Sequence, residues 1–176
     1  MSPIHKYGIV LRLIEQDDAE FILKLRTDPV LNQYLSYTKP NVSDQIRWIK
    51  NYKNKEELGL EYYFIVQDQE ENKFGTIRLY NFDEKSFELG SWLFLKNSPF
   101  AMAVKAHFIG FEIGFEILNI DHCKTEVRKK NISVIRYMDN FNPIIIHEDN
   151  LNVNFLLSKE NFYKRKHELT IFRMHQ

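Results

Sequence analysis

The sequence predicts an α+β fold of the three-layer α/β kind: a mixed, mostly antiparallel sheet of about seven strands with helices on both faces, in one domain spanning residues 1–176. Three observations predict it. Near Glu61 the apolar period switches from helical to that of strands and runs through three segments joined by short polar turns. A long, regular apolar stripe occupies 101–118. Strand-like segments stand on both sides of that stripe, an order that forms a parallel crossover between 86 and 128.

Each element has its own cause. Gly8 to Glu15 is β-branched and leucine-rich, a first strand. Asp17 and Asp18 supply N-cap chemistry for a helix whose Phe21, Ile22 and Leu25 share a face, and Asp28-Pro29 closes it. A second helix starts at Ser43 and carries Ile46, Trp48 and Ile49 towards Tyr52. Tyr62–Gln67, Lys73–Asn81 and Ser86–Leu95 form an antiparallel meander, and the third of these, apolar on both faces, reads as a central strand. In the long helix, about Ala101 to Leu118, Val104, Phe108, Phe111, Phe115 and Leu118 recur at spacings of four and three. Lys124–Arg128 is a fifth strand, Asn131 caps a helix through Phe141, and Ile144–His147 turns at Glu148–Asn150 into a last strand, Val153–Leu157. A basic extension begins at about 160. Its stretch Tyr163–His167 is either a solvated helix face or a nucleic-acid contact.

Composition removes several classes of function. The 24 Lys and Arg balance 24 Asp and Glu, so no overall field attracts nucleic acid or membrane. A single cysteine, Cys123, excludes an internal disulfide. Without a signal-like apolar core or a run of about 18 apolar residues, the expected setting is soluble and cytoplasmic. The 14 Phe, 9 Tyr and 2 Trp predict large core side chains, and exposed aromatics make a homodimer plausible. His122 and Cys123 have no partners at metal-ligand spacing, so no metal site is expected; adjacent strand residues point to opposite faces, which also argues against a Cys-His catalytic pair.

The segments L-R-L-I-E-Q-D-D-A, R-T-D-P-V-L-N-Q-Y-L, Y-Y-F-I-V, F-G-T-I-R-L-Y, L-G-S-W and N-I-S-V-I-R-Y-M-D-N-F, from about Val10 to Phe141, carry a resemblance. In this order they resemble the GNAT acetyltransferase superfamily, in the branch of ribosomal-protein N-terminal and amino-sugar acetyltransferases. The resemblance implies that the fourth and fifth strands splay apart and that acetyl-CoA, as co-substrate, lies in the opening with its pyrophosphate on the long helix's N-terminus. Free first-turn N–H groups and the helix dipole make such an end an anion site. The family's phosphate loop maps onto Lys96, Asn97, Ser98, Pro99, Phe100 and Ala101, of which only Ala101 fits well. Pro99 pre-sets its φ for the turn, and Ser98 is either the N-cap or a hydroxyl for a phosphate.

The resemblance also implies chemistry. A backbone N–H of the fourth strand, around Trp92, Leu93 and Phe94, would meet the oxyanion, and Asn131 would both start its helix and contact CoA. The usual acid is a tyrosine seven residues after Asn131; here that position is Met138, which cannot donate, and Tyr137 stands next to it. Tyr137 is thus the candidate acid, or an aromatic of the core or CoA wall. Glu88, set in an apolar strand that would raise its pKa, is the candidate base, or it faces water or pairs with Arg78. His107 reads as structural. Asp28–Thr38, polar and aromatic, suits a hydroxylated ring or nucleotide, with Asn32 and Tyr34 as contacts and Arg78 and Tyr80 joining from one strand face. The resemblance places a nucleotide-linked amino sugar first as acceptor amine and a peptide or ribosomal-protein N-terminus second, with a catalytically weakened CoA-binding domain as the other class.

Overall fold

Alternation in the strands builds the layers. In the computed structural model, which describes residues 1–169, β1 (Ile4–Lys6) and β2 (Ile9–Leu13) form a hairpin. Its two turn residues, Tyr7 and Gly8, both have positive φ, 55° and 77°, the backbone that matches strand twist in a two-residue turn. The strand expected at Gly8–Glu15 is therefore the second of a pair; β1 is too short to show a period.

A 3₁₀ turn, Gln16–Asp18, leads into α1 (Ala19–Thr27), and α2 (Val42–Glu57) follows. The α2 cap is Asn41, whose side chain accepts the Asp44 N–H at 2.9 Å, so the helix begins one residue before Ser43. Then come β3 (Tyr62–Gln67), β4 (Lys73–Tyr80) and β5 (Ser86–Phe94). The long helix is α3 (Met102–Glu112) ending in a π turn, Ile113–Ile117, where Leu118 N–H reaches Ile113 O at 2.9 Å. β6 (His122–Arg128), α4 (Ile132–Asp139), β7 (Ile144–Glu148), β8 (Asn152–Ser158) and α5 (Lys159–Glu168) complete the described chain.

The strands pair in the order β1-β2-β3-β4-β5-β6-β8-β7, eight among the described residues where about seven were expected. Only β5–β6 is parallel, as the 86–128 crossover predicts. In β3, Phe64 and Val66 enter a cluster with α3, whereas Tyr63 and Ile65 enter another with α1 and α2, so helices cover both faces. Phe108, Phe111 and Phe115 of α3 are fully buried against Phe141 and Phe162, each burial contributing about 1.5–3 kcal/mol.

Phe162 changes the reading of the basic segment. It anchors α5 in the core, Lys166 pairs with the buried Glu112, and Tyr163 bonds Glu116, so this stretch is docked on α3 rather than simply solvated. Residues 170–176 of the expected extension lie outside the described residues.

Candidate active site

The site begins where a parallel pair stops pairing. β5 and β6 are joined only at Ser86/His122, Phe87/Cys123 and Glu88/Lys124; beyond them β5 runs on to Phe94 and β6 to Arg128 without further contact in register. β6 stays fully paired with β8, while β5 stays with β4 through an irregularity between Thr76 and Arg78. Opposite it Ser91 takes φ 49°, and the buried Thr76 hydroxyl donates to Ser91 O at 2.8 Å, fixing this bulge.

Between the parted strands lies a cleft of about 390 Å³. Of the residues singled out from sequence, it brings together Tyr34, Arg78, Tyr80, Trp92 and Asn131, with His107 and Met138 also in its wall. Asn32 does not line it; its N–H bonds Asp28 O in the loop before. Asn131 is the α4 cap as predicted, accepting the Val134 N–H at 3.4 Å.

Glu88 stands at the paired end of β5, half-buried, where it accepts from Asn81 Nδ2 at 3.1 Å. Its cross-strand partner is Tyr80, whose phenol is pushed up to about 12 by burial and then by the Glu88 charge. The alternative of a Glu88–Arg78 pair is excluded. The bulge sets Arg78 opposite Gly90, and its guanidinium pairs with Glu61 while lying over Trp48, Tyr63 and Tyr80 at 5.2, 5.8 and 4.8 Å.

Trp92 holds the far wall. Its indole N–H donates to Ala103 O at 2.9 Å, tying β5 to the start of α3, and its ring stacks on His107 at 4.5 Å. His107 Nδ1 and Tyr137 Oη are 3.0 Å apart; the phenol donates if Nδ1 is bare and accepts if Nδ1 carries the proton. Burial holds His107 neutral, with its pKa lowered to about 3, and raises that of Tyr137. Met138 faces the cleft, whereas the Tyr137 ring lines a second cavity of about 420 Å³ with Phe100, Ala101 and Val104. The two neighbours thus face different cavities, as their 100° offset around α4 allows.

The turn into α3 corrects one assignment. Ser98 is not the N-cap: its hydroxyl donates to Leu95 O at 2.6 Å, and the cap is Ala101, left-handed at φ 59° with no side-chain bond to the helix. Lys96 and Asn97 are exposed, Phe100 is 92% exposed, Phe94 pairs with Gly75, and the buried Leu93 pairs with Thr76. The Met102 N–H is taken by Pro99 O at 3.1 Å, but no side chain caps the amides that follow it in the first turn of α3, at the rim of the second cavity, a fit for a pyrophosphate. Sequence reasoning missed Arg26, which lines the cleft from α1, and the Ser91 bulge; their only trace was the R-T-D-P and L-G-S-W segments. Among the described residues no group of three His, Cys, Asp or Glu is placed to hold a metal ion, and no helix is long and apolar enough to cross a membrane.

A sheet opened between its parallel strands, with an uncapped helix start beside the opening, defines an acyltransferase of the GNAT kind. The chain belongs to the GNAT acetyltransferase family, whose domain matches residues 9–141. Among solved structures it is similar to apo FdhC, a nucleotide-linked sugar GNAT, at 35% identity and TM-score 0.87 over 97% of each chain. Two more distant likenesses show the fold alone. The ribosomal-protein-S5-alanine acetyltransferase of Vibrio fischeri has 13% identity and TM-score 0.76 over 91% of this chain and 98% of its own. The spermidine N-acetyltransferase of Vibrio cholerae, in complex with CoA and spermine, has 16% identity and TM-score 0.73 over 89% and 98%. No curated protein sequence matches the chain.

Proposed function

We propose that this enzyme is an acetyl-CoA-dependent N-acetyltransferase whose acceptor is the primary amine of a nucleotide-linked amino sugar. The observation that carries the acceptor class is the 35% identity, over 97% of both chains, to a nucleotide-linked sugar GNAT. The cleft supports it: guanidinium and aromatic groups from α1, the Tyr34 loop and β4 converge beside the bulged strand, a surface suited to a sugar and its phosphates.

Acetyl-CoA would supply an activated acyl carbon. The Ala101 turn, with Lys96, Asn97, Ser98 and Phe100 around it, and Asn131 at the cleft edge hold it in this reading. The amine lone pair forms the C–N bond, the C–S bond breaks, one amine proton leaves, and the thiolate gains one. Alignment of the amine beside the thioester contributes much of the rate. A β5 backbone N–H between Trp92 and Phe94 faces the developing oxyanion. Glu88, which does not itself line the cleft but stands cross-strand from Tyr80, which does, takes the amine proton in this reading. Tyr137, held in its protonated form, stabilises the departing sulfur by hydrogen bonding; its raised pKa suits it poorly to complete proton transfer.

A second reading, a CoA-binding domain with weak turnover, is favoured by the buried Met138 thioether at the family's acid position. One set of measurements separates them. Acetyl-CoA at a hundred times its Kd adds about 2.7 kcal/mol of stability under either reading. CoA release with UDP- and dTDP-linked amino sugars, set against N-terminal peptides, then reports turnover. Binding without release on any sugar selects the second reading; release on peptides alone overturns the sugar assignment. Tyr137→Phe should lower kcat by about tenfold or more with KM for acetyl-CoA little changed, and an unaltered kcat removes Tyr137 from the mechanism.

A further inference from the structure

A smaller cavity of about 220 Å³ opens next to the cleft, between α1, α2 and the middle of the sheet, and shares Arg26, Arg78 and Ser91 with it. Among the described residues two guanidiniums and no carboxylate line it, and of the two only Arg78 has a carboxylate behind it, Glu61. Arg26 gives its Nε–H to Thr38 Oγ1 at 2.9 Å, and no carboxylate pairs with it among the described residues.

Its polar groups are also short of acceptors. Arg78 is clamped by Glu61 and three aromatic rings, yet its Nε–H is buried without an acceptor. The Tyr63 hydroxyl, on a residue only 2% exposed, is buried with no partner at hydrogen-bond geometry. Leaving two buried donors unsatisfied costs stability, and a fold retains such groups where something else meets them. The surrounding side chains are rigid: Trp48 stacks on Tyr52 at 5.7 Å, and both meet Tyr63 edge-on. The donors are therefore held in place before any ligand arrives.

We infer that this cavity is an oxyanion compartment of the acceptor site, taking a phosphate or carboxylate of the substrate between Arg26, the Arg78 Nε–H and the Tyr63 hydroxyl. It rests on the acyl-transfer reading only for the direction of the amine, which would extend from here into the cleft at Ser91. Planar guanidinium donors match either oxyanion, and a cavity of this size admits one such group with a hydroxyl neighbour.

The test uses the whole chain and needs no turnover. UDP, inorganic pyrophosphate and malonate are titrated at low salt into the wild type, Arg26→Gln and Tyr63→Phe, following tryptophan fluorescence, with melting temperatures recorded in parallel. At least one probe should bind, and each substitution should weaken it by about tenfold or more. Tyr63→Phe should keep or raise the melting temperature, because its hydroxyl has no partner to lose; a merely structural hydroxyl would lower it and leave binding intact. Preference for UDP or pyrophosphate assigns a phosphate, and preference for malonate assigns a carboxylate. Failure of all three probes to bind at about 50 mM, or equal binding by the variants, overturns the compartment. If a probe binds as expected but no amino sugar is acetylated, the compartment stands and the acceptor assignment falls.

Discussion

His107 links the stability of this fold to pH. It is 3% exposed and enclosed by Trp92, Phe111 and Tyr137, with ring centroids 4.5, 4.5 and 5.4 Å away. Burial lowers its pKa from 6.5 to about 3. The unfolded chain therefore binds a proton here from about pH 6.5 downward, and the folded chain does not until about pH 3. Stability is full above the unfolded value and declines below it by about 1.4 kcal/mol per pH unit, or about 2 kcal/mol by pH 5. Over the whole window the loss is on the order of 5 kcal/mol, a large share of a typical domain's total. Replacement of His107 by Gln removes the titration while keeping a polar partner for Tyr137. Urea unfolding followed by tryptophan fluorescence, at several values from about pH 7.5 to 5, gives the stability of both proteins. Every other titrating group cancels in their difference. The wild type should lose its lead by about 2 kcal/mol across that range. A difference that stays constant within about 0.5 kcal/mol would refute a buried neutral imidazole.

Two further outcomes follow from local geometry. Asp18 is buried, which alone would raise its pKa, but both terminal nitrogens of Arg12's fork (2.7 and 2.8 Å), Lys73 (2.6 Å) and the Glu15 N–H (2.7 Å) donate to its carboxylate and bring it below the usual carboxylate value. Asp18→Asn should cost about 3 kcal/mol in chemical denaturation by leaving two partly buried cations poorly paired, and the wild type should lose this contribution as pH falls below about 4. Ala101→Gly relieves a left-handed alanine, worth about 1 kcal/mol, against a similar gain in unfolded-chain freedom. Its melting temperature should hold or rise slightly; a loss above about 1 kcal/mol would contradict the left-handed cap.

Local periodicity made much of the architecture legible. Val104, Phe108, Phe111 and Phe115 predicted α3 because four consecutive core contacts repeat at helical spacing, and Asn131 predicted the start of α4 because its cap is made within three residues. Contacts set by long-range register were not legible. Nothing near Ser91 signals a left-handed residue, yet that bulge turns Arg78 away from Glu88 and towards Glu61. Ser98-Pro99 reads as a helix start for a sound local reason, but the serine hydroxyl finds Leu95 O first and the cap passes to an alanine that has no cap signal. Arg26 reads as an ordinary helix cation until the fold sets it across a cavity from Tyr63 and Arg78.

The same bulge explains why the sheet opens where it does. Adjacent parallel strands ordinarily continue to pair, since each unmade ladder bond leaves main-chain donors and acceptors without partners. Here β5 is pulled the other way by three attachments: the Thr76 hydroxyl on Ser91 O, the Trp92 indole on Ala103 O, and renewed pairing of Leu93 and Phe94 with β4. β6 meanwhile is held along its whole length by β8, from His122/Ser158 to Arg128/Asn152. Neither strand can cross the gap without giving up bonds already made. The backbone of β5 beyond Glu88 and of β6 beyond Lys124 is left facing the cleft, where an extended ligand chain can take the place of the missing ladder. Binding by main-chain groups needs no particular side chain in the turn after β5. That is why a glycine-free turn, with an alanine forced left-handed, is compatible with an intact site.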